Sequence, residues 1–285
     1  MTLPTVGSAW AAATRALLVP EIVAGVPAAQ QASSAQYVIV THPALAGAAA
    51  DLAALEQARG FTTELVTTDR IYAAYSDHAV SADAVKRFLT ASARRRQLRY
   101  VLLVGADTTD PYNHLGLGSM TFVPTAYLPY AEYITYSPTD EVLVDGDGDG
   151  LGDVPIGRLP VRTPAEVQAA AAKILAWEQN VAPGGRTALL ASGSTSAFAP
   201  IARAYADALP SWTTGLAHVH TQGTTAVRAT VLAALNAGTP VVSFVGHSSI
   251  GQWDRTPLLT WADAAALTNA GRPDMGVQWG CWNAY

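Results

Sequence analysis

The chain has 285 residues, half of them hydrophobic and only 14% charged, enough apolar material for one large or two small α/β domains. Its net charge of −5 comes with no basic stripe, which argues against a nucleic-acid surface. No apolar run approaches the ~18 residues of a membrane span, and a single cysteine excludes an internal disulfide without fixing the redox compartment. Residues 1–35, rich in Ala, Val and Pro, read as an N-terminal extension with a weak helix at 8–18, and show neither the basic lead nor the clean apolar core of a signal peptide. From there strands and helices alternate: a strand at 37–40, a helix at 46–59 stopped by Gly60, a strand at 63–66, a helix at 81–95 capped by Ser81, and a strand at 100–104. This alternation marks a mostly parallel sheet.

Residues 106–140 break the rhythm with glycines, Asp110-Pro111 and a cluster of tyrosines, as a functional excursion or a passage between subdomains would. An acidic loop follows, and Thr163 then caps a helix at 164–180. A second alternating series places strands at 187–191 and 216–220 and helices at 199–209 and 225–236. No internal repeat stands out. The expected organisation is an extension at 1–35, a first α/β subdomain at 36–140 and a second at 141–285.

The chemistry gathers in the last part of the second series. The apolar run Pro240-Val241-Val242-Ser243-Phe244-Val245-Gly246 leads to His247, and Met275-Gly276-Val277-Gln278-Trp279-Gly280 leads to Cys281. Both read as buried strands, joined through a helix at 261–268 and a turn at 271–273. A strand–helix–strand unit of this kind has parallel strands. If the two are neighbours, His247 and Cys281 leave the same edge roughly 5 Å apart, where open α/β sheets bind ligands. A histidine at that distance is a base for a thiol nucleophile, and backbone N–H groups at Gly246 and Cys281 are candidate oxyanion donors. The alternative is a buried structural cysteine beside a capping histidine. Trp253 and Trp282 are candidates for lining a substrate pocket.

Asp145, Asp147, Asp149 and Asp153, spaced by glycines, match positions one, three, five and nine of a calcium-binding loop. The twelfth position, where such a loop carries a glutamate, is Ile156, so Asp140 or Glu141 would have to help; otherwise the loop is a solvated turn. His218 and His220 flank Val219 on an expected strand and would share one face, without the further ligands of a zinc site.

In combination these motifs resemble the gingipain family of cysteine peptidases. The resemblance rests on Tyr100-Val101-Leu102-Leu103-Val104-Gly105 with Asp107 and Asp110-Pro111, on the Asp-Gly loop leading into Ile156-Gly157-Arg158-Leu159-Pro160-Val161-Arg162-Thr163, on Gly246-His247-Ser248-Ser249 with Trp253, and on Cys281 with Asn283. It implies a caspase-like fold of two adjacent α/β subdomains with mostly parallel sheets, apparently truncated after the catalytic cysteine. It further implies a His247–Cys281 dyad cleaving protein or peptide substrates, structural calcium, and secretion or a cell-surface location. Three departures limit it. Ser194 stands where studied members carry a histidine-orienting acid. Ser196-Ala197-Phe198-Ala199-Pro200 lacks the charge of arginine-specific members. Ala284 replaces the family's glycine. These departures leave open an inactive module with a binding or secretion-associated role.

Overall fold

The structure is a computed structural model that describes residues 32–95, 97–111, 113–129 and 136–281, without the side chains of 182–184. The helix expected at 8–18 and the residues Trp282, Asn283 and Ala284 lie outside the described residues. The chain divides into two compact units, Met1–Gln168 and Ala169–Tyr285.

The first unit is built on four parallel strands, β1 (Tyr37–Thr41), β2 (Thr63–Thr67), β3 (Tyr100–Val104) and β6 (Ile156–Leu159), in the order β2-β1-β3-β6. β1 is central and buried from Val38 to Thr41, as a strand covered on both faces must be. On one face Val38, Val40, Val101 and Leu103 pack against Ile71, Tyr72, Val85, Phe88 and Leu89. These come from two helices, α2 (Thr68–Tyr75) and α3 (Ala82–Ala93). α3 begins where expected because the Ser81 hydroxyl accepts the Ala84 N–H at 3.2 Å. Helix α1 (Ala46–Ala58) packs against β1 and β2 and ends as Gly60 takes a φ of 93°.

The excursion after β3 contains a short antiparallel hairpin, β4 (Ala126–Leu128) with β5 (Ser137–Thr139). β6 then returns to pair with β3, Val101 opposite Ile156. The boundary expected at 140/141 therefore shifts to 168/169: a strand that completes the first sheet cannot belong to the second. Arg158 of β6 explains why this return is held. Its guanidinium donates to both oxygens of Asp140 at 2.7 Å, and to the carbonyls of Gly105, Val123 and Pro124. Helix α4 (Pro164–Gly184) follows. Thr163 and Glu166 exchange backbone and side-chain hydrogen bonds at 3.3 Å, a capping box.

The second unit repeats the plan with β7 (Thr187–Ser192), α5 (Phe198–Asp207), β8 (Thr213–His218), α6 (Val219–Gln222), α7 (Thr224–Ala237) and β9 (Val241–Val245). Three two-residue strands follow: β10 (Ser248–Ser249), β11 (Gln252–Trp253) and β12 (Leu259–Thr260) form a small antiparallel sheet. Helix α8 (Trp261–Ala265) and β13 (Met275–Trp279) complete the unit. The main sheet is parallel in the order β13-β9-β7-β8. One face buries Leu189, Ala191, Val242 and Phe244 against Val227, Val231 and Leu235 of α7. The other buries Ala188, Leu190 and Val245 against Ala202 and Ala206 of α5. The strand expected to run to residue 220 stops at His218, where the chain turns into α6. His218 and His220 consequently share no strand face.

Candidate active site

β9 and β13 are neighbours in register, with Val245 opposite Trp279. The ladder continues one residue further, because the Gly246 N–H donates to the Trp279 carbonyl at 3.1 Å. His247 and Cys281 thus follow the last rungs of two adjacent parallel strands, at the carboxyl edge of the sheet. Adjacent strands lie about 5 Å apart. Cys281 is exposed, and its carbonyl accepts a hydrogen bond from the Ser248 hydroxyl. His247 is half-buried, and its ring meets the Phe198 ring edge-on, with centroids 5.2 Å apart at 84°.

Glycine is required before His247 by close packing. A Cβ on Gly246 would lie 2.5 Å from the Phe244 ring and 3.2 Å from the Gly193 backbone. The same ladder bond changes one expectation. The Gly246 N–H already serves the Trp279 carbonyl, so it is not placed as an oxyanion donor; Cys281 is left as the expected donor. Trp253 is also displaced from its expected role. It is 6% exposed and stacks on Phe244 at 4.8 Å and 7°, in the core rather than along a pocket. Trp282 lies outside the described residues.

The edge holds two features that strand periodicity does not announce. Ser192, fully buried at the end of β7, shares a 2.8 Å hydrogen bond with His218 Nδ1 at the end of β8. Burial, and then the Arg203 charge, hold the His218 imidazole below its ordinary proton affinity. The second feature is Asp254, 2% exposed. Its carboxylate accepts the Ser194 N–H at 2.8 Å and the Ser194 hydroxyl at 2.9 Å, and its own N–H donates to the His247 carbonyl at 2.7 Å. Asp254 lies seven residues after His247, just past the β10–β11 hairpin.

The acidic loop lies in the first unit. Carboxylate oxygens of Asp145, Asp147 and Asp149 come within 4.8 Å of one another. Asp145 is buried and accepts the N–H groups of Gly148 and Gly150, which folds the loop around it. Asp153 stands apart from that trio; its Oδ2 accepts the Gly146 N–H at 2.9 Å. Of the two helpers considered, Asp140 is taken by Arg158 and Thr125. Glu141 remains at the loop, with Oε1 3.4 Å from the Gly152 nitrogen.

Two solved structures are similar to this chain. A solved protease structure matches with a TM-score of 0.64 and 19% identity, over 86% of this chain and 52% of that one. Dimeric latent PorU from Porphyromonas gingivalis matches with a TM-score of 0.45 and 21% identity, over 52% of this chain and 16% of that one. The chain therefore spans about half of the former and a much smaller share of the latter. No curated protein matches. The mixed α/β, mostly parallel architecture expected from the sequence, a caspase-like fold, is the one observed. The model of "Peptidase family C25" matches residues 30–285, and the chain belongs to that family.

Proposed function

We propose that this chain is the peptidase part of a secreted cysteine endopeptidase, with His247 and Cys281 as its dyad. The observation that carries the reading is the β9–β13 pairing, which sets both residues at adjacent strand ends in a member of a peptidase family. His247 takes the proton from Cys281 Sγ, and the thiolate attacks the scissile carbonyl of a protein or peptide. The Cys281 N–H faces the developing oxyanion. The tetrahedral intermediate expels the amine, which receives the proton from the imidazolium. Water, activated by the same histidine, then hydrolyses the thioester.

The test is covalent labelling by a peptidyl chloromethyl ketone, followed by mapping of the modified residue. Cys281 is expected to label, and His247→Ala to lose most of that labelling. A folded protein that does not label, or labels equally without His247, overturns the dyad. That outcome favours the second reading, a binding or secretion-associated module without activity, for which Ser194 in place of the family's acid is the supporting observation.

The acidic loop is proposed to hold structural calcium through Asp145, Asp147 and Asp149, with Asp153 and Glu141 at its margin. An all-oxygen, flexible donor set of this kind suits a hard cation. Bound calcium would neutralise the crowded carboxylates and tie the loop to the first unit. Calcium at a hundred times its Kd is expected to add about 2.7 kcal/mol, lost on chelation with EDTA. Superimposable unfolding curves with and without EDTA would return the loop to a solvated turn.

A further inference from the structure

Asp254 is a buried carboxylate. None of the ion pairs among the described residues includes it. Burying a carboxylate is costly unless hydrogen bonds replace the lost water, and here they do. Ser194 supplies its N–H and its hydroxyl, and Arg255 its N–H at 2.9 Å. The residue also holds a φ of 62°, a left-handed conformation that aspartate tolerates better than most residues and that still carries a cost. A buried carboxylate and a strained backbone coincide at one position, directly after β11 at the close of the β10–β11 hairpin.

The position explains the coincidence. Three segments meet at Asp254: residues 193–194 after β7, residues 246–247 after β9, and the end of β11. The approach is close. A Cβ on Gly193 would lie 3.3 Å from Asp254 Oδ1 and 3.4 Å from Gly246 Cα. The Asp254 side chain grips the first segment, while its main-chain N–H grips the carbonyl of His247. Gln252 holds the far side, donating from Nε2 to the Asp254 carbonyl at 2.9 Å. Trp253, stacked on Phe244, anchors the hairpin between these contacts.

We infer that Asp254 is a positioning residue for His247, clamping the histidine's backbone to the loop that follows β7. This rests on the reading of His247 and Cys281 as a dyad. The clamp does not touch the substrate. It fixes the height and direction at which the imidazole leaves the sheet edge, while Phe198 fixes the ring plane. Ser194 is then no vacancy left by a missing acid: it is the residue through which an acid elsewhere in the sequence reaches this loop.

The experiment measures inactivation by a peptidyl chloromethyl ketone, separating the binding constant KI from the rate of the alkylation step. Asp254→Asn keeps the volume and one acceptor oxygen. It is expected to slow the alkylation step by roughly tenfold to a hundredfold, the scale of a small misplacement of a reacting group, with KI little changed. A role confined to general stability would not divide the two constants in this way. Ser194→Ala keeps the backbone bond and loses only the hydroxyl, so it is expected to slow the same step less and to fold even if Asp254→Asn does not. An unchanged alkylation rate in folded Asp254→Asn, an effect confined to KI, or, if that variant does not fold, an unchanged rate in Ser194→Ala overturns the inference. Unlabelled wild type would overturn the dyad, and this inference with it. Labelled wild type with equally reactive variants would overturn the positioning role alone.

Discussion

The two units present the same edge of the same kind of sheet, and treat it in opposite ways. Each has four parallel strands with loops gathered at their carboxyl ends. In the first unit that edge is closed by mutual pairing. Arg158 spans Asp140 and three carbonyls, and Asp107 accepts from Thr121, Thr125 and Tyr127. In the second unit the edge carries an exposed thiol and a half-buried imidazole, while the Asp254 carboxylate is turned inward onto Ser194 and the Arg255 N–H. Polar residues at a strand edge do not by themselves mark a reacting site. What differs is whether their hydrogen-bonding capacity is spent on the protein or kept for something else.

The largest expected effect tests the closed edge. Arg158→Ala strands a carboxylate and three carbonyls in a site where the arginine side chain is 14% exposed. Breaking one side of such a pair costs about 3–5 kcal/mol, read from denaturant unfolding. A loss under about 1 kcal/mol would place the pair among ordinary surface bridges and remove the contrast. Next comes Gly246→Ala in the second unit. Its added methyl meets the Phe244 ring and the Gly193 backbone, and overpacking of this kind costs about 1–3 kcal/mol. It should also depress Cys281 labelling, since His247 is the next residue; an alanine tolerated without loss of either would show that the two loops have room to part. The smallest effect concerns Ser192 and His218. Burial lowers the folded affinity of His218 for a proton below its ordinary pKa of 6.5, so the unfolded chain binds more protons as pH falls past that value. The contribution is present above that pH and lost on acidification. His218→Gln is expected to flatten the decline in stability as the pH falls past 6.5, and an identical decline in both proteins would remove the histidine from the account.

Much of the scaffold was legible because its strands are short apolar runs between glycines and helix caps. Val38-Ile39-Val40 and Val241-Val242-Ser243-Phe244-Val245 announce buried strands in any context, and the His247 and Cys281 runs gave the chemistry by where they end. α2 was missed because it follows β2 with no intervening turn, and its buried Ile71, Tyr72 and Tyr75 sit among polar neighbours. The pieces β10 to β12 are two residues each, too short for any period to show. β6 was assigned to the wrong unit because pairing between Val101 and Ile156 depends on a return across the whole excursion. Asp254 was invisible for the same reason: its partner, Ser194, lies 60 residues earlier. Local patterns specify elements, whereas clamps between loops exist only once the elements have met.

Cys281 is exposed and is the sole thiol in these 285 residues. An oxidant that converts it to a sulfenic acid leaves no second cysteine in this stretch to condense with, so the usual internal route back through a disulfide is closed. Recovery then depends on a small thiol or another protein arriving from outside before the sulfur oxidises further. The same solitude gives a clean spectroscopic handle: a thiol-reactive fluorophore or spin label would report from this edge alone, with no background cysteine to remove.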